Sequence, residues 1–257
     1  MLLRTQRLIV ALSTLLGAFI LISVATYWSG LKAEKTLNEQ HRLLASFPLF
    51  KIKSHHYERG WFSSQETTEL VFNRKLSGPY ETLLPDNLKP LLDSTITYSH
   101  TIKHGPLPNI NHFDLRPALA LVSTEFKMSD STRETLTRFF GDKKPITITN
   151  QLGFGGGGDL SVIIPAFDYD ETLSGIKIKW KGLTLNVNYK QGYQEYLSEV
   201  TLPGLFLQAA TKGDLQFDGI HYESSIHPGK TGVKLGTAEL TTDDVSVSYT
   251  HLRAHET

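Results

Sequence analysis

From Leu8 to Trp28 the chain runs for 21 residues without a charge, LIVALSTLLGAFILISVATYW. At about 1.5 Å per residue, a helix over this run measures roughly 30 Å, the thickness of a bilayer's hydrocarbon core. The run has no polar face and begins almost at the N-terminus, which argues against a buried core helix. Arg4 and Arg7 precede it with no acidic residue among the first seven, whereas Lys32 and Lys35 beyond it are interleaved with Glu34 and Glu39. That asymmetry predicts a cytoplasmic N-terminus over residues 1–7, a transmembrane anchor over 8–28 with Tyr27 and Trp28 at the interface, and export of everything that follows. The alternative is a cleaved signal peptide, since Ser23-Val24-Ala25 offers small residues to a peptidase. The length of the apolar run and the bulk of Tyr27 and Trp28 favour the anchor, and either reading exports the rest of the chain.

Residues 29–47 carry Leu37, Leu43 and Leu44 among charges and predict a membrane-proximal helix that Pro48 stops. Beyond it the pattern has period two. Ile96, Tyr98, His100 and Ile102 share one face of TITYSHTIK, and Ile176, Ile178 and Trp180, then Leu183, Leu185, Val187 and Tyr189, share one face of GIKIKWKGLTLNVNY. Further strands are expected around Glu66–Arg74, Ile146–Asn150, Leu160–Ile164, Glu199–Leu202, Leu215–Ser224 and Val245–Tyr249. One helical insert is expected between Arg116 and Phe140. It reads as a pair, the first helix opened by Pro117 and running through Lys127, the second capped by Ser131 with Glu134 and ended by Gly141. Trp180-Lys181-Gly182-Leu183 and Phe217-Asp218-Gly219-Ile220 repeat the order aromatic, charged, glycine, aliphatic, at a spacing seen in stacked β units. The expected fold class is mainly β (α+β), with an N-terminal transmembrane helix, an extended antiparallel β-rich domain over 48–249 and a short helical insert.

Little here has the form of a reaction centre. Lys plus Arg and Asp plus Glu both total 26, so no net field draws in nucleic acid, and the absence of cysteine excludes disulfides, thiolate metal sites and a cysteine nucleophile. Gly153 to Gly158, GFGGGG, satisfies G-x-G-x-x-G, but the residues after it read as a short strand closed by Pro165, where a dinucleotide site needs a helix. A hairpin turn or bulge is the better account. His100 and His104 lie too far apart along a strand to share an ion. His55-His56, His112, His221 and His227 show no carboxylate pattern that would complete a metal triad, and read as surface or turn residues. Tyr57-Glu58-Arg59-Gly60-Trp61-Phe62-Ser63-Ser64 reads as a turn with a core anchor, with a binding surface as the rival. No catalytic residue, cofactor or metal site is assigned.

That segment, the N-terminal apolar run, His104-Gly105-Pro106-Leu107-Pro108, Trp180-Lys181-Gly182-Leu183 and Leu202-Pro203-Gly204-Leu205, in this order, resemble the YdgA-like family of bacterial envelope proteins, a domain family of unknown function. The resemblance implies an inner-membrane anchor with a periplasmic β-rich body, admits a homo-oligomer, and implies no known reaction. It also implies that the β-rich domain is incomplete, because family members continue past this end, and that residues 250–257 are a non-native tail. The expected role is that of a non-enzymatic scaffold or ligand-binding protein, whose partners are the inner membrane and a lipid or other envelope component, without nucleic acid. The rival is an exported envelope hydrolase with Asp114, Asp168 or Asp170 as candidate acids. An outer-membrane barrel is disfavoured by the spanning helix and the short, irregular strands.

Overall fold

The computed structural model describes residues 2–73, 95–110, 114–171, 175–209 and 213–248. The apolar run and the charged segment after it form one uninterrupted helix, α1 (Leu2–Ala45), closed by turns at Ser46 and Phe47 just ahead of Pro48. It is the one helix among the described residues long and apolar enough to cross a membrane. Its two parts face different surroundings. The large apolar side chains from Ile9 to Val24 are exposed, whereas Thr26, Ser29, Gly30, Ala33, Thr36 and Leu37 are buried. These six recur at three- and four-residue steps, so they form one stripe, and all but Leu37 are small enough to bring the helix backbone close to what it packs on.

What it packs on is an antiparallel sheet of four consecutive strands, β1 (Phe50–Arg59), β2 (Ser63–Phe72), β3 (Thr95–His104) and β4 (Ala120–Lys127). Ala33 and Leu37 of α1 join Ile102, Leu119, Ala120, Val122 and Leu152 in one hydrophobic core, with Tyr57 against it. Arg74, the expected end of the second strand, lies outside the described residues. The described residues within 1–127 and 151–156 form this first compact unit; those within 128–150 and 157–248 form the second.

The first member of the expected helical pair is instead β4, a strand paired with β3 from Ala120 to Lys127. A short apolar run such as Ala118 to Val122 fits a buried strand as well as a helix, and period alone cannot separate them. Burial alternates along its first four residues, and the β-branched Val122 and Thr124 suit the ladder. The second member exists as α2 (Asp130–Phe140), but its N-cap is Ser129, whose Oγ accepts from the Thr132 N–H, so Ser131 falls inside the helix. Gly141 ends it as expected, at φ +59°, its N–H bonded to the Thr137 carbonyl.

After β5 (Thr147–Leu152), a turn within the glycine run leads to β6 (Gly158–Ile164), which is the hairpin reading of GFGGGG. A Cβ on Gly157 would run into the Tyr189 carbonyl oxygen, so close backbone approach accounts for that glycine. The second unit continues with β7 (Phe167–Glu171), β8 (Ile176–Trp180), β9 (Leu183–Tyr189), β10 (Tyr196–Ala209), β11 (Gly213–Pro228), β12 (Lys234–Thr241) and β13 (Asp244–Ser248). Its sheet runs β6-β9-β10-β11-β12. β8 continues β9 along β10 and carries β7 on its far side, and β13 continues β12 along β11. Phe139 and Phe140 of α2 pack on Phe167 and Tyr169.

The repeat seen in the sequence marks the level at which these strands break. Between β8 and β9, the Lys181 N–H bonds to the Gly204 carbonyl; the β10–β11 register skips Pro203 and Gly219; and between β12 and β13 the Asp243 N–H bonds to the Asp218 carbonyl. Trp180-Lys181-Gly182-Leu183 and Phe217-Asp218-Gly219-Ile220 flank β10 on either side, and Lys181 pairs with Asp218. The two copies are thus one row of interruptions crossing a single sheet, with the register unchanged on either side, and no stacked unit is involved.

Candidate functional site

Two groups of side chains gather where α1 meets the first sheet. The first surrounds Thr26 to Glu34. The β1–β2 turn brings Trp61 to Tyr27, with ring centroids 4.9 Å apart, and Arg59 donates to Glu34 at 2.9 Å. At the end of β3 the His104 ring is buried, its Nδ1 3.2 Å from the Thr26 carbonyl oxygen and its Nε2 3.2 Å from Ser64 Oγ. A neutral imidazole satisfies both, donating to the carbonyl and accepting from the hydroxyl. Burial lowers the His104 pKa, against the Thr26 hydrogen bond and with the Arg59 charge assisting. A Cβ on Gly30 would meet His104 Cε1 at 2.7 Å, and one on Gly105, at φ +132°, would meet Thr26 Oγ1 at 3.1 Å. Tyr57 to Ser64 and His104-Gly105, far apart in sequence, therefore clamp one stretch of helix.

The second group lies further along α1. Glu66 of β2 is only 4% exposed, and its Oε1 is 2.7 Å from His55 Nε2 of β1 and 4.0 Å from His41 Nδ1 of α1. The two imidazoles lie against each other with centroids 3.9 Å apart. Glu66 Oε2 is buried without a hydrogen-bond partner. Across the ladder Glu66 is opposite His100 of β3, whose Nδ1 is 2.9 Å from Thr124 Oγ1. A cavity of about 170 Å³ is lined by His41, Glu66, Tyr98, His100 and residues of α1. Burial raises the Glu66 carboxyl pKa against the hydrogen bond from His55, lowers that of His41 with the charge of His55 assisting, and pushes that of His100 down to about 4. Donor atoms of His41, His55 and Glu66 all lie within 4.8 Å of one another. Two imidazole nitrogens and a carboxylate oxygen are ligands that suit a borderline divalent metal.

His55 is thus no surface or turn residue but a part-buried member of this cluster. Its partners are not adjacent in sequence: the carboxylate comes from the neighbouring strand and the second imidazole from α1. The usable signal was alternation in β2, where Ser64, Glu66, Thr68 and Leu70 share the buried face and place a carboxylate among core positions. His100 and His104 hold different partners. His56 forms an exposed pair with Glu58, His227 is exposed, and His112 lies outside the described residues.

In the second unit, Glu199, His221 and Glu223 form a further close group, with His221 Nε2 2.9 Å from Glu223 Oε1, but both carboxylates are exposed. The candidate acids do not pair with one another. Asp114 is held by Arg116 and Asn109, which keep its carboxyl well below the usual range. Asp168 and Asp170 are exposed on β7, opposite Lys179 and Lys177.

Residues 7–254 match a family described as a bacterial protein of unknown function, DUF945, and the chain belongs to that family. No curated protein and no solved structure matches it.

Proposed function

We propose that this family member is a single-pass protein of the bacterial inner membrane whose β-rich body lies in the periplasm and acts there as a non-enzymatic scaffold or ligand-binding element, with envelope lipid as the ligand class. The observation that supports this is the continuity of α1. The buried stripe begins at Thr26, directly after Ser23-Val24-Ala25, with no break in the helix. Cleavage there would need an extended segment where the chain is helical, and would remove the turn that holds the Thr26 end against His104. The segment therefore behaves as an anchor built into the fold. For lipid, the support is in the second unit, where Leu197, Leu235, Leu240, Val245 and Val247 are each about half exposed or more.

The chain has no cysteine, so single introduced thiols report topology cleanly. With a membrane-impermeant maleimide applied to cells of opened outer membrane, a Ser46→Cys variant should be labelled. A Thr5→Cys variant should react only after the inner membrane is disrupted and should remain in the mature protein by mass spectrometry. The reverse labelling, or loss of residue 5, sinks the anchored reading. Lipid mass spectrometry on the protein purified from its native envelope, beside an unrelated β-rich control, tests the ligand. Specifically enriched lipid supports binding; a clean, self-associating protein leaves the scaffold.

A further inference from the structure

We infer that His41, His55 and Glu66 form a binding site for one divalent transition-metal ion of the zinc class, which ties the membrane-proximal helix to the sheet. The three ligands come from three elements, α1, β1 and β2. A carboxylate buried to 4% exposure is costly unless both oxygens are engaged, yet both imidazoles approach Oε1 while Oε2 is left without a partner. A single shared proton satisfies the His55 contact alone. A cation takes neutral imidazoles and an ionised carboxylate, the forms in which each is a ligand, and a bidentate Glu66 engages Oε2 as well as Oε1.

The distances agree. Metal–ligand bonds of about 2 Å in tetrahedral geometry place donors of one ion roughly 3 to 3.5 Å apart. The 2.7 Å and 4.0 Å distances to Glu66 Oε1 bracket that value, and all three donor atoms lie within 4.8 Å of one another, so side-chain adjustments on the order of an ångström bring them to coordination distance. The adjoining cavity leaves room for a fourth donor, and His100, whose Nδ1 is engaged by Thr124, lines it. The Glu199, His221 and Glu223 group of the second unit lacks a buried carboxylate and an orphaned oxygen, and serves as the internal comparison.

The test uses the full chain in detergent, stripped with a chelator, titrated with Co²⁺ followed by visible absorption and with Zn²⁺ followed by calorimetry. One equivalent should bind, the Co²⁺ form should show the d–d bands of a site with nitrogen and oxygen donors, and Glu66→Gln or His55→Asn should weaken binding at least about tenfold. His41→Ala, on α1 and outside the strand ladder, gives a second variant, and circular dichroism melting confirms that each variant is folded. His56→Ala should leave binding unchanged. Absence of saturable binding to the wild type, or binding unaffected by His41→Ala and Glu66→Gln but lost on His221→Ala, overturns the assignment.

Discussion

Gly30 shows how little freedom the clamp at the start of the buried stripe allows. A methyl group there would lie 2.7 to 3.0 Å from three atoms of the His104 ring, whereas one on Gly17 would meet nothing within 4 Å. Gly30→Ala should therefore destabilise the protein by roughly 1–3 kcal/mol, with Gly17→Ala near neutral, read from thermal melts in detergent. His104 itself should make the protein acid-sensitive. Its folded pKa lies below the ordinary value of 6.5, so the unfolded chain binds the extra proton first. Its contribution is complete above about pH 6.5 and falls as the pH drops below it. A His104→Gln variant should show a flatter fall in melting temperature between about pH 7 and pH 5 than the wild type. Neither contact was legible from sequence, since both join His104 to residues more than seventy positions earlier; the pattern Tyr57 to Ser64 with His104-Gly105 was visible, its meeting point on α1 was not.

At the scale of elements, alternation was the reliable guide. The strands around Ile96–Ile102 and Ile176–Tyr189 stand where period two placed them, because each strand buries one face more than the other. The segment from Pro117 to Lys127 carries an apolar run too short to show a period, and pairing with β3 makes its end a strand. α2 was legible in type and end but not in start, since Ser129 and Ser131 are both good caps. Ser129→Ala should cost about 0.5–2 kcal/mol by denaturant midpoint. Glu134→Ala, which loses an exposed pair with Arg138, should cost roughly 0.5 kcal/mol or less. The glycine repeat was visible as well, but its meaning lay in the strand order: with β10 between β9 and β11, two copies became one row across the sheet.

In the whole molecule, burial is unequal. The connected hydrophobic core belongs to the first unit, while every described residue of β12 and β13 is exposed. Hydrogen–deuterium exchange on the full chain should find the slowest amides in β3 and β4 and the fastest strand amides in β12 and β13, and uniform protection would contradict this division. The cluster of His41, His55 and Glu66 lies in the first unit, and a group assembled from a helix and two strands has no local signature in the sequence. A last consequence concerns reach. Between Trp28 and Ala45 the chain is helix throughout, with no flexible tether, and this rod advances only about 25 Å. In the anchored protein, a leash of disordered residues would let the first sheet sample a wide volume at low local concentration. On the proposed anchored topology, a continuous helix whose buried stripe starts at Thr26 would instead hold the sheet beside the bilayer, so whatever it engages would have to come to the membrane surface.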